Sequence, residues 1–76
     1  MSANLCWKPA DKDYKTLPDA LKFILRDKQG LTSEKDLYGR ERLGYLRGLV
    51  DAGVEGAQEL IDAIVKHEHV EIWLEY

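Results

Sequence analysis

The 76 residues have room for one domain and one core, and folding buries only about 60% of the surface that so short an unfolded chain exposes. An apolar fraction of 45% and a charged fraction of 33% describe an ordinary globular protein, without the run of ~20 apolar residues that a membrane helix requires. A formal net charge of −3 weighs against nucleic-acid binding, and a single cysteine excludes an internal disulfide.

The N-terminal stretch lacks the apolar core of a signal peptide, so the expected location is cytoplasmic. Charge is unevenly spread along the chain. Residues 1–47 hold ten of the eleven Lys and Arg against seven acids, a net of +3, whereas residues 48–76 hold Lys66 against seven acids, a net of −6. Solvated helix faces explain this most simply, and a basic region beside an acidic docking region is the alternative.

Leu5-Cys6-Trp7-Lys8 reads as a short strand ended by Pro9, with Leu5 and Trp7 facing one way and Cys6 and Lys8 the other. Residues 10–15 read as a charged surface loop anchored only by Tyr14. A first helix is predicted over 17–28, with Thr16 or Leu17 at the cap, Pro18 in the first turn and Asp19 at the positive end of the dipole. Leu17, Ala20, Leu21, Ile24 and Leu25 form its apolar side, Lys22 and Arg26 lie opposite, and Gly30 suits the position just past its end.

A second helix is predicted over 34–51, capped by Ser33, with Leu37, Tyr38, Leu43, Leu46, Leu49 and Val50 as its apolar face. Gly39, Gly44 and Gly48 lie inside it, each at a cost of roughly 0.5–1 kcal/mol relative to alanine. Gly44, Gly48 and Ala52 recur every four residues and form a smooth ridge, which either packs against a neighbouring helix or admits a partner. Asp51-Ala52-Gly53 breaks the run, and a third helix follows over 54–67 with Glu55, Glu59, Asp62 and Lys66 on its polar side. From Val70 to Tyr76 the period changes from 3.6 to 2, the mark of a strand. The expected architecture is α+β, a single small domain of order β-α-α-α-β. Its three amphipathic helices rest on a short two-stranded sheet formed by the termini.

No phosphate loop, dinucleotide fingerprint, zinc-protease helix or nucleophile elbow is present in the sequence. Cys6 with His67 or His69 is the one nucleophilic pair, and it makes a Cys-dependent enzyme a distant alternative. His67 and His69 share a face with Glu71 if the chain there is extended, but three ligands make a weak site, so neither metal nor cofactor is expected. Arg40 and Arg47 are two turns apart on the second helix, with Gly44 between them and Tyr38 and Tyr45 nearby. That pattern suits phosphate contact, though Asp36, Glu41 and Asp51 are interleaved. Arg42 projects toward the apolar side, to snorkel or to meet Glu71 or Glu75. Trp73 falls on the Glu71/Glu75 side of the last strand, either covered by Trp7 or Tyr14 or acting as an interface anchor.

The candidate binding residues are therefore Trp73, Tyr76, Arg40, Arg47, Gly44 and Gly48, with no catalytic residue among them. The expected function is that of a small non-enzymatic protein-binding module, a regulator or inhibitor that occupies a partner's surface. Small proteins of phages and mobile elements are comparable in size. A nucleic-acid-binding regulator using the second helix is the alternative. A homodimer joined through the open edge of the C-terminal strand is the expected self-assembly, and no membrane partner is expected.

Overall fold

The computed structural model describes residues 3–9 and 13–76. In chain order it contains β1 (Asn4–Lys8), β2 (Lys15–Leu17), α1 (Asp19–Gln29), β3 (Asp36–Gly39), α2 (Leu43–Asp51), α3 (Ala57–His67) and β4 (His69–Glu75). A 3-10 turn at Arg40–Arg42 leads into α2. The four strands form one antiparallel sheet in the order β2-β1-β4-β3. The class is α+β with three helices, and the terminal strands do pair, with Leu5 opposite Leu74 and Cys6 opposite Trp73.

The sheet has two more strands than its termini supply, and both come from segments whose sequence reads otherwise. Lys15–Leu17, expected as loop and helix cap, pairs with β1 and places Leu17 opposite Leu5. Helix α1 therefore starts later. Pro18, with φ −59° and ψ 152°, is still extended, and its carbonyl accepts the Lys22 N–H at 3.1 Å. Asp36–Gly39, expected as the first turn of the second helix, is an edge strand instead. Its alternation buries Tyr38 opposite Val70 and turns Leu37 outward, so the two do not share a helical face and Ser33 is not a helix cap. The predicted part of residues 10–15 that covers 10–12 lies outside the described residues.

Alternation in β1 and β4 sends Leu5, Trp7, Val70, Ile72 and Leu74 to one face. There they meet Leu21 and Leu25 of α1, Leu46 of α2, and Leu60 and Ile64 of α3. All three helices thus cover the same face of the sheet, and the thinnest dimension, 17 Å, is that of two layers. Lys22 departs from its expected exposed position. It is only 4% exposed, with Nζ donating to the Ala3 carbonyl at 2.7 Å and 3.2 Å from Asp19 Oδ1, which ties α1 to the start of β1. Arg42 does not reach Glu71 or Glu75. Its guanidinium lies 4.3 Å over the Tyr38 ring and donates to Gln29 Oε1 at 2.8 Å, because Glu71 and Glu75 belong to the opposite face of the sheet.

Strand β4 is paired on both flanks, by β1 and by β3. The open edge through which a second copy was expected to join is therefore closed. The sheet's edges are instead β2 and β3. Among the described residues, no helix is long and apolar enough to cross a membrane.

Two sets of glycines differ in what they do. Gly56 sits at φ +92°, and a Cβ there would meet Pro18 Cδ at 2.6 Å, so the turn before α3 closes directly on the start of α1. At Gly44 and Gly48 a Cβ meets nothing within 4 Å, so the ridge does not pack against a neighbouring helix. The two kinds should respond oppositely to alanine in urea denaturation. Gly56→Ala should destabilise by about 1–3 kcal/mol, and Gly48→Ala should stabilise by about 0.5–1 kcal/mol.

Candidate functional site

With the helices on one side, the other face of the sheet carries Cys6, Lys8, Thr16, Leu37, Glu71 and Trp73. Trp73 is its centre. The indole is only 6% exposed, although the described helices all lie on the other face of the sheet. Its cover is local. Tyr14 leans on it with ring centroids 6.1 Å apart at 59°, Lys35 Nζ stands 5.1 Å from the ring, and Nε1 donates to Glu75 Oε1 at 2.8 Å. Lys35 reaches this position because the chain before β3 continues the pairing, the Thr32 carbonyl accepting the Leu74 N–H at 2.9 Å. Trp7, the other expected cover, faces the core and donates to Glu59 Oε2 at 3.4 Å.

The arrangement leaves an aromatic and aliphatic surface on a rigid floor. Tyr14 is 57% exposed and Leu37 is 56% exposed. Around them the charges are balanced, with Lys8 3.9 Å from Glu71, Lys35 over the indole and Glu75 occupied by its N–H. These two lysines and two glutamates cancel in charge, although Glu71 Oε2 has no hydrogen-bond partner among the described residues and Lys35 rests on the ring. Tyr14, Lys35 and Leu37 were absent from the sequence-derived site. Tyr14 is an isolated aromatic in a charged stretch of sequence, whereas the apolar spacing of Leu37 suits a helix face and only strand pairing turns it outward.

The sequence-derived residues divide between two surfaces. Trp73 lies in the open sheet face, and Tyr76 is exposed just past the end of β4. Arg40, Gly44, Arg47 and Gly48 are all exposed, on the side of the 3-10 turn and α2 away from the core. Gly44, Arg47 and Gly48 belong to α2, in the helix layer, whereas Arg40 lies in the turn after β3 and borders the same groove as Leu37. Tyr38 does not join the arginines, since its ring is in the core, where burial pushes its hydroxyl pKa up against the pull of Arg42.

Cys6 and the histidines do not converge. Cys6 is buried opposite Trp73, and burial, followed by the Glu75 charge, pushes its thiol pKa up, away from the thiolate a nucleophile needs. His67 ends α3, Glu68 turns the chain at φ +71°, and His69 opens β4 opposite Gly39, so the two imidazoles are not on one extended face. His67 borders a groove of about 320 Å³ with Trp7, Lys15 and Lys66, while His69 borders another of about 540 Å³ with Leu37, Arg40 and Glu41. Among the described residues, no three His, Cys, Asp or Glu are grouped to hold a metal ion. No protein-family model, curated protein or solved structure matches this chain.

The raised thiol pKa has a measurable sign. Its stabilising contribution is full below the unfolded thiol's pKa and is lost as pH rises through the higher folded value. Native protein should react with a thiol reagent such as 5,5′-dithiobis(2-nitrobenzoic acid) at least ~10-fold more slowly than urea-unfolded protein. Cys6→Ala should reduce the alkaline loss of stability by the thiol's share and leave that of the buried Tyr38 hydroxyl, whose pKa burial also raises.

Proposed function

We propose that this protein is a small non-enzymatic binding module, a cytoplasmic regulator or inhibitor that acts by covering part of a partner protein's surface. One observation carries the reading. The open face of the sheet presents Tyr14 and Leu37, both more than half exposed, on an immobilised Trp73 with its neighbouring charges balanced. Large aromatics held in place lose little conformational freedom on binding and are enriched among residues that dominate interface energies. The buried, pKa-raised Cys6 and the separated histidines favour binding over thiol chemistry. A second copy of the chain is one possible occupant, and with β4 paired on both flanks it would meet this face back to back.

A quantitative pull-down from the native host, run with matched variants, tests the reading. A specific partner should be captured by wild type and by Arg47→Ala. Capture by Tyr14→Ala/Leu37→Asp should fall at least ~10-fold, since hot-spot truncations cost more than about 1–2 kcal/mol. Retention by the Tyr14/Leu37 variant, with its fold intact by circular dichroism, refutes the assignment of this face. Analytical ultracentrifugation of wild type and Tyr14→Ala tests the second copy as partner.

The nucleic-acid reading has its own observation. Arg40, Gly44, Arg47 and Gly48 share an exposed stripe with no side chain rising from the two glycines. Asp51 at the end of α2 and the net charge of −3 oppose it. Fluorescence anisotropy with duplex DNA should show absent or weak binding that vanishes with added salt. Sequence-dependent affinity that resists salt and is lost in Arg40→Ala/Arg47→Ala would replace the protein-binding reading with this one.

A further inference from the structure

Strand β3 is an edge of the sheet, and an uncovered edge offers its backbone to any second strand. Its outward N–H groups are already occupied. Leu37 N–H donates to Asp36 Oδ1 at 2.8 Å, and Gly39 N–H donates to Glu41 Oε2 at 3.0 Å. Each carboxylate stands where the carbonyl oxygen of a fifth strand would stand. We infer that Asp36 and Glu41 are a built-in guard that keeps β3 from pairing with the β3 of a second copy of this chain.

Three further observations fit this role. Glu41 reaches Gly39 only because the chain turns back through the 3-10 segment, and a Cβ at Gly39 would lie 2.8 Å from Glu41 Oε1, so the glycine makes room for the carboxylate. Arg42 Nε lies 3.8 Å from Glu41 Oε2 and supports the charge. The Gly39 N–H, then Glu41's own N–H, hold the Glu41 carboxyl below the usual carboxylate range, so the contact is charged at neutral pH.

The unguarded edge would suit self-pairing. In a two-fold antiparallel arrangement centred on Tyr38, Leu37 of one copy falls opposite Gly39 of the other. The outward donors of both copies then find carbonyls in two hydrogen-bonded pairs. The exposed Leu37 side chain, opposite a glycine, would have the Leu37 of the second copy as its diagonal neighbour across the new ladder. The other edge needs less protection. Strand β2 has three residues and runs into Pro18, which has no N–H to offer.

Sedimentation equilibrium and amide hydrogen exchange of wild type, Glu41→Ala, Asp36→Ala/Glu41→Ala and Asp36→Asn/Glu41→Gln test the guard. The alanine pair should self-associate at least ~10-fold more tightly than wild type, with the single variant between. The amide pair keeps an acceptor at each site and should stay closer to wild type. In the associated alanine pair, the Leu37 and Gly39 amides should gain protection as concentration rises. A folded alanine pair that sediments like wild type overturns the inference, and so does association that leaves those two amides unprotected. Should the double variant lose its fold, Glu41→Ala alone decides by the same readouts, because that side chain is exposed and packs in no core.

Discussion

The last strand of the chain holds the sheet together from its middle. Strand β4 is hydrogen-bonded to β1 on one flank and to β3 on the other, with Val70, Ile72 and Leu74 buried on one face and Trp73 on the other. Val70, Ile72 and Leu74 form the floor on which the helices rest, while Trp73 anchors the opposite side. Without β4, strands β1 and β3 have no common partner and the apolar stripes of the three helices have nothing to cover. The pairing also joins Asn4 to Glu75, so nearly the whole chain must be present before the sheet closes. Such non-local contacts add only modestly to loop-closure entropy but slow folding.

One-sided covering sets the surface chemistry. Helices shield one face of the sheet, and the other relies on side chains from two loops, Tyr14 and Lys35, to keep water from the Trp73 indole. That cover leaves part of the aromatic and aliphatic surface in solvent. Arg47 of α2 is exposed on the side of that helix away from the core. The proposed docking face of the sheet and the arginine of α2 are thus distinct surfaces, with Arg40 beside the groove that Leu37 borders.

Some of the basic charge in the first part of the chain is spent inside the fold. Lys22 joins α1 to the start of β1, Arg42 stacks on Tyr38, Lys35 lies over Trp73 and Lys8 faces Glu71. Each has an intramolecular contact that a linear charge count does not reveal. The asymmetry of charge along the sequence consequently overstates the basic surface open to a partner. Arg40 and Arg47 remain exposed.

Local periodicity was enough to locate α1, the core of α2, α3 and β4, because an apolar stripe or an alternation depends on residues only a few positions apart. The stop at Gly30, with φ +70° and the Leu31 N–H bonded to the Leu25 carbonyl at 3.2 Å, was legible for the same reason. Two short strands were not legible. Lys15–Leu17 and Asp36–Gly39 are too brief to display a period, and they are strands because β1 and β4 offer them hydrogen bonds. Gly39 carried a signal, since glycine is costly inside a helix and here ends a strand. The sequence alone thus determined that there are three helices, the bounds of the first to within two residues, the terminal strands and the aromatic residues available for a surface. Only the tertiary structure decided that β4 is central, that Tyr14 rather than Trp7 covers Trp73, and that Lys22 is buried, because each depends on groups brought together from distant parts of the chain.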